Sequence, residues 1–245
     1  MTMRRVVVTG ASRGIGLAIA RRFLGLGSHV VLHARGAADD ADVREAERQG
    51  RATVVRGDLA LEADRAALFA RARSELGGLD VLVNNAAEQS FGPIREWSDD
   101  AVQRMFRVNV VAALDCMRRA AEAMAGADGD RCIVNIASIR ATRPGSGAAV
   151  YAATKAALVS ATRTAAVEYG PAGIRVNAIS PGLVWREGLD RDWADGVRVY
   201  EQQAPLGRIG RPEDVAEACA MLASSAASWI TGVDLPVDGG ISLVR

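Results

Sequence analysis

Tyr151 and Lys155 stand four residues apart in "YAATK", a spacing that puts both side chains on one face of a helix. A free phenol titrates near ~10 and an ammonium near ~10.4, so tyrosine shuttles protons near neutrality only when a cation favours its phenolate. The lysine supplies such a cation and moves the phenol toward the pKa that general acid–base catalysis requires. Lys155 is also the only lysine of the chain; the other twenty-nine of its 30 basic residues are arginine. A compact ammonium is a different tool from a planar guanidinium, although an arginine-rich coding bias also leaves single lysines behind. Ser138, closing the apolar run "RCIVNIAS", puts a hydroxyl donor at a strand end. Taken one at a time, these residues read equally well as a buried tyrosine with a satisfied hydroxyl, a surface lysine and a strand-end serine.

Elements able to position them alternate along the chain. The runs "RRVVVTG", "HVVLHA", "ATVVRG", "LDVLVNNA", "RCIVNIAS", "IRVNAIS" and "DLPVD" read as strands, separated by patterns of helical period. One such pattern spans 99–125 without a break, and another covers "VYAATKAALVSATRTAAVEYG". Strands and helices in this order imply right-handed crossovers and a doubly wound, parallel α/β sheet of about seven strands covered on both faces. No repeat or linker divides residues 1–245, which are expected to form one domain. The stretch 183–210 mixes Pro, Gly, Trp and charge, and a long irregular segment of this kind is the candidate for a lid over a site.

Between the first strand and the first helix lies "TGASRGIG", with Gly10, Gly14 and Gly16. Glycines let main-chain N–H groups approach a phosphate, and the helix dipole favours negative charge there, so the expected ligand is a pyrophosphate; the alternative is close packing of strand on helix. The spacing is G-x-x-x-G-x-G rather than G-x-G-x-x-G.

That form resembles the cofactor turn of the short-chain dehydrogenase/reductase family, whose members include 3-oxoacyl-[acyl-carrier-protein] reductases. "NNAA" at 84–87 resembles its N-N-A-G, with Ala87 in place of glycine. "RVNV" carries Asn109, "NIAS" ends at Ser138, "YAATK" is similar to its Y-x-x-x-K, and "SPG" at 180–182 to its Pro-Gly. The resemblance implies a single-domain Rossmann fold with strand order 3-2-1-4-5-6-7 and NAD(P) across the carboxyl ends of the strands. It implies an oxidoreductase that interconverts a ketone and a secondary alcohol by hydride transfer, with a tetrad Asn109, Ser138, Tyr151 and Lys155. In that scheme Ser138 donates to the substrate carbonyl, Tyr151 exchanges the proton, Lys155 holds the nicotinamide ribose and Asn109 orders a water linking Lys155 to solvent. The positively charged nicotinamide ring joins Lys155 in favouring the phenolate. Cofactor contacts are implied at Gly10, Ser12, Arg13, Gly14, Ile15, Gly16, Asp58, Leu59, Asn85, Ala86, Ala87, Pro181, Gly182 and Val184, besides Tyr151 and Lys155, with no metal. Asp58 would meet the adenine amino group or cap a helix, and Arg186 stands where the family often has a threonine contact. A homotetramer or homodimer is also implied.

Charge discriminates between the two dinucleotides. A site for NAD carries a carboxylate at the end of the second strand, ~20 residues past the glycine turn. Here that point reads His33-Ala34-Arg35-Gly36, and Asp39 and Asp40 lie where they would open the next helix. Arg35 and Arg13 would flank a ribose 2′-phosphate, so NADP is expected over NAD. An NAD-dependent dehydrogenase of a sugar or hydroxy compound is the neighbouring reading, and a non-catalytic dinucleotide sensor the more distant one.

Thirty basic against 29 acidic residues give a net charge of +1, which offers no global attraction to nucleic acid or to an anionic membrane. The apolar run after Met1 is too short for a signal peptide or a bilayer span, so a cytoplasmic protein acting on a small carbonyl or alcohol is expected. Cys116, Cys132 and Cys219 form no C-x-x-C pair and read as reduced, buried filler. Residues 88–94 and the loop "IRATRPGSGAAV" are expected to line the substrate pocket, with Gln89, Arg140 and Trp185 suggesting a polar or partly aromatic substrate.

Overall fold

Val6, Val7 and Val8 bury their whole surface, which happens only to a strand covered on both faces. They belong to β1 (Arg5–Val8), an interior strand of the computed structural model, which describes residues 3–36, 39–126, 129–143 and 145–244. Six further strands, β2 (His29–Ala34), β3 (Ala52–Arg56), β4 (Val81–Asn84), β5 (Arg131–Ile136), β6 (Ile174–Pro181) and β7 (Asp234–Val237), complete one sheet. Its order is β3-β2-β1-β4-β5-β6-β7 with every pairing parallel, the order the resemblance implies.

Alternate residues of the strands feed two cores. Val6, Val8, Leu32, Val83 and Val134 pack with Ile19 and Phe23 of α1 (Gly14–Gly25) and with Val215 and Leu222 of α9 (Pro212–Leu222). Val7, Val31, Leu82 and Ile133 face the other way, against α3 (Glu62–Leu76), α5 (Ala112–Met124) and α6 (Ala149–Tyr169). The three cysteines are buried and unbridged, as expected. Asp40 caps α2 (Ala41–Arg48), its carboxylate accepting the Val43 N–H at 3.1 Å and pairing with Arg21, while Asp39 pairs with Arg44.

Two features depart from the periodicity. The continuous helix expected over 99–125 is α4 (Asp99–Phe106), a π turn (Arg107–Val111) and α5. A π turn inserts a residue without disturbing the apolar pattern enough to show in sequence, and such turns gather at functional sites; this one holds Asn109. The irregular stretch contains α7 (Leu189–Asp192) and α8 (Ala194–Gln203). Parallel strands leave all their carboxyl ends on one edge of the sheet, so the segments after β1, β3, β4, β5 and β6 converge there.

Candidate active site

The glycine turn is built from below by β4. Thr9 Oγ1 accepts the N–H groups of Asn85 and Ala86 at 3.0 Å each, and Asn85 Nδ2 donates to the carbonyls of Thr9 and Gly10 at 2.9 Å each. The Asn85 side chain therefore serves the turn. Gly10 and Gly16 are there for close approach: a Cβ at Gly10 would lie 2.7 Å from Ala86 Cα, and one at Gly16 2.3 Å from Asn85 Nδ2. Gly14 differs. Its φ of +55° needs glycine, yet a Cβ there would meet nothing within 4 Å. The first turn of α1 holds no acidic residue, and Arg13 at its N-cap makes no side-chain capping bond. An open glycine before an uncompensated helix N-terminus fits a dinucleotide's pyrophosphate.

Sequence reasoning missed His33 as a structural partner of this turn. Its ring is buried at the end of β2, where Nδ1 accepts the Gly10 N–H at 3.4 Å and Nε2 donates to the Gly57 carbonyl at 3.0 Å. Only the neutral tautomer protonated on Nε2 satisfies both, and burial pushes the imidazole below its usual range. The signal was a lone polar residue inside an apolar strand. The His33 carbonyl also accepts the Ala11 N–H at 2.8 Å, which holds the glycine turn beside the end of β2. Arg13 in the turn and Arg35 just past β2 are exposed and without a hydrogen bond or ion pair among the described residues. The nearest carboxylates after β2 are occupied at α2.

Asp58 accepts the Ala60 N–H at 3.0 Å and Arg104 at 3.0 Å. Its burial opposes ionisation, but these two donors outweigh it and hold the carboxyl below the usual range. Leu59 sends its side chain into the core and gives its carbonyl to Arg65 at 2.7 Å, leaving only its N–H for any ligand. Ala87 is exposed with ordinary backbone, so the methyl replacing a glycine hydrogen costs no strain.

At the other end of the cleft, α6 brings Tyr151 and Lys155 under the end of β5. Lys155 is 2% exposed and donates to the Ile136 carbonyl at 2.7 Å; burial lowers its ammonium to about 8. Its Nζ lies 5.6 Å from the centre of the Tyr151 ring. Tyr151 is pushed up to about 12 by burial, with the Ser138 hydroxyl opposing the shift. The protein alone thus moves the phenol opposite to the direction expected from the lysine. Ser138 starts a short turn, its Oγ accepting the Arg140 N–H at 3.2 Å. Asn109 is committed: Oδ1 accepts the Glu88 N–H at 2.7 Å, and Nδ2 donates to the Glu88 carbonyl at 2.9 Å and Thr154 Oγ1 at 3.0 Å.

The expected substrate walls do adjoin, since the Gly92 N–H donates to the Gly147 carbonyl at 2.8 Å; Pro144 of the second wall lies outside the described residues. Phe91, 58% exposed, sets its ring edge-on to Tyr151 at 5.9 Å. Trp185 and Trp193 of the irregular stretch are 49% and 53% exposed, and Arg186 pairs with Asp192 at 2.9 Å.

A family model described as enoyl-(acyl carrier protein) reductase matches residues 10–242. The chain belongs to the short-chain dehydrogenase/reductase family. Among curated relatives of this short-chain dehydrogenase/reductase, cis-4-hydroxycyclohexanecarboxylate dehydrogenase of Sinomonas cyclohexanicum is 41% identical, over 98% of this chain and 97% of that one. The 3beta-hydroxysteroid dehydrogenase 1 of Eggerthella lenta is 38% identical, over 98% and 94%. A blue fluorescent protein from a metagenomic library, solved in complex with NADPH, superposes with a TM-score of 0.89 at 33% identity over 97% of each chain. The chain is accordingly an NAD(P)-dependent oxidoreductase acting on CH–OH groups, and none of its described helices is long and apolar enough to cross a membrane.

Proposed function

We propose that this short-chain dehydrogenase/reductase is an NADP-dependent enzyme that interconverts a small ketone and its secondary alcohol, with Tyr151 as general acid–base. The observation that carries this reading is the meeting of Tyr151, Lys155 and Ser138 at the end of β5, with Lys155 buried against the Ile136 carbonyl. NADP, when bound, supplies or accepts the hydride.

The N–H groups around Gly14, with Ser12 and Ile15, bind the pyrophosphate, and Arg13 and Arg35 bind the 2′-phosphate. Gly10, Gly16, Asn85 and Ala86 shape the turn, while Asp58, Leu59 and Ala87 line the adenosine side and the floor. Ser138 donates to the substrate oxygen. Tyr151 gives that oxygen its proton in reduction and removes it in oxidation. Lys155 holds ribose hydroxyls and, together with the charge of the oxidised cofactor ring, offsets the burial that raises the phenol. With both Nδ2 protons of Asn109 spent and its Oδ1 already accepting the Glu88 N–H, the water it orders is held by its backbone carbonyl in the π turn and leads protons from Lys155 outward. Pro181 and Gly182 turn the chain toward Val184, whose own N–H and C=O take no part in its bridge to Gly210 and are available to a carboxamide.

Phe91 beside the phenol and the half-exposed Trp185 favour a substrate with an apolar or aromatic flank, with Gln89 and Arg140 supplying polar contacts. Residues 1–245 act as one domain with a lid at 183–210, assembled as a homotetramer or homodimer in the cytoplasm; light scattering reads the assembly directly.

The test is a panel of cyclic and acyclic secondary alcohols and ketones followed by NADPH absorbance. NADP is expected to exceed NAD in kcat/KM; equal or better efficiency with NAD sinks the cofactor assignment. Removing both arginines (Arg13→Ala with Arg35→Ala) is expected to cut kcat/KM for NADP roughly 10–100-fold, the loss of charged hydrogen bonds, and to leave NAD within about threefold.

A further inference from the structure

Between Leu183 and Gly210 the chain leaves the sheet and returns, and its two ends are joined. The Gly210 N–H donates to the Leu183 carbonyl and the Trp185 N–H to the Gly210 carbonyl, both at 2.8 Å. Tyr200, on α8, reaches back from this excursion to the body: its hydroxyl accepts the Leu183 N–H at 3.0 Å and donates to the Asp238 carbonyl at 3.2 Å. One proton given and one received, to the ends of two adjacent strands, β6 and β7, make this a built contact.

Both sides of it are shaped for the phenol. A Cβ at Gly182 would lie 2.1 Å from the Tyr200 oxygen, so the missing side chain at 182 is the space that oxygen occupies. The receiving turn is fixed by the Asp238 carboxylate, which accepts the N–H groups of Gly240 and Ser242 at 2.9 Å each, and by the Leu206 N–H, which donates to the Gly239 carbonyl at 3.1 Å. The other arm of the excursion, 185–193, contrasts with this. Beyond the bridge, its hydrogen bonds and ion pairs among the described residues are internal to the excursion, such as Arg186 with Asp192 at 2.9 Å.

We propose that Tyr200 is a positioning residue. Its hydroxyl sets the turn from Gly182 to Val184 and latches α8 to the body, while 185–193 is held by the buried Leu189 side chain and not, among the described residues, by polar contacts to the body. The cofactor half of this inference rests on the reading above that Val184 meets the carboxamide.

Tyr200→Phe keeps the ring and removes both bonds. On the full chain, the dissociation constant for NADPH, from fluorescence titration, is expected to rise about tenfold, the worth of one to two neutral hydrogen bonds. Turnover at saturation stays within about threefold, the pattern of lost uniform binding. Trypsin supplies a readout that needs no cofactor: cleavage after Arg198 on α8 speeds up about tenfold while cleavage elsewhere in the chain stays near the wild-type rate, and the melting temperature falls by only a few degrees. Gly182→Ala crowds the same hydroxyl and gives the same pair of effects in wild type, with a smaller effect in the Tyr200→Phe background. NADPH affinity and cleavage within twofold of wild type overturn the latch, as does a rise in cleavage spread over arginines throughout the chain rather than concentrated at Arg198. A wild-type chain that binds no NADPH overturns the proposed function instead, and the cofactor-free trypsin comparison still judges the latch.

Discussion

Tyr151→Phe is expected to bind NADPH as wild type does and scarcely turn over: kcat falls about 10³-fold, within the range that general acid–base groups contribute, while the dissociation constant stays within about threefold. The substitution deletes one oxygen. The ring stays buried and keeps its edge contact with Phe91 at 5.9 Å, so α6 and the floor of the cleft are undisturbed. The lost hydroxyl faces Ser138, which keeps its bond from the Arg140 N–H at 3.2 Å and is not stranded. What disappears is the proton donor and acceptor at the substrate oxygen. Stopped-flow mixing of the variant with substrate and cofactor separates the outcomes: a slow chemical step with normal binding supports the role, and turnover within tenfold of wild type removes it. The pH profile adds a sign. Oxidation needs the phenolate, so wild-type kcat in that direction declines as pH falls through the phenol's pKa in the complex, and the variant's residual rate lacks that limb.

Much of this site was legible because its logic is local. Tyr151 and Lys155 meet through helical spacing alone, and Gly10, Gly14 and Gly16 mark a turn between two elements that periodicity identifies. The strand order was implied by the resemblance to the short-chain dehydrogenase/reductase family that these motifs carry. What escaped depends on partners far away in sequence. Nothing near Asn85 says that its amide will be spent on the carbonyls of Thr9 and Gly10, or near His33 that its ring will join Gly10 to Gly57. The π turn at Asn109 escaped for another reason: one extra residue shifts helical phase too little to break an apolar stripe. The electrostatics of the pair were half legible. Spacing puts a cation by the phenol, but the degree of burial, which decides that Tyr151 rises to about 12 and Lys155 falls to about 8, belongs to the packed fold.

That burial makes Lys155 a cost to the cofactor-free protein, and replacing it should exchange function for stability. Lys155→Met is expected to lose about 10³-fold in turnover and to melt about 4–8 °C higher at pH 7, the shift that about 2 kcal/mol gives a domain of this size. An ammonium lowered from 10.5 to about 8 forfeits roughly 3 kcal/mol when charged, and losing its bond to the Ile136 carbonyl returns about 1 kcal/mol of that. The sign with pH is fixed. Between about pH 8 and 10.5 the unfolded chain holds the lysine proton and the folded one does not, so the penalty is complete below 8 and fades as pH rises through that window. Melting curves of wild type and variant should therefore converge and cross near about pH 10, where the remaining penalty equals the worth of the retained bond to the Ile136 carbonyl; taking their difference cancels Tyr151, whose raised pKa destabilises the fold above pH 10 in both. A gap that does not narrow with pH sinks the account. Lys155→Arg sharpens it, because a guanidinium cannot shed its proton. That variant should be less stable than wild type at every pH and fall further behind as pH rises from about 8 toward 10.5, the window in which the folded lysine is neutral. A buried cation that must be compact, and that relaxes by giving up its proton, is a physical reason for a chain otherwise built on arginine to keep one lysine, at position 155.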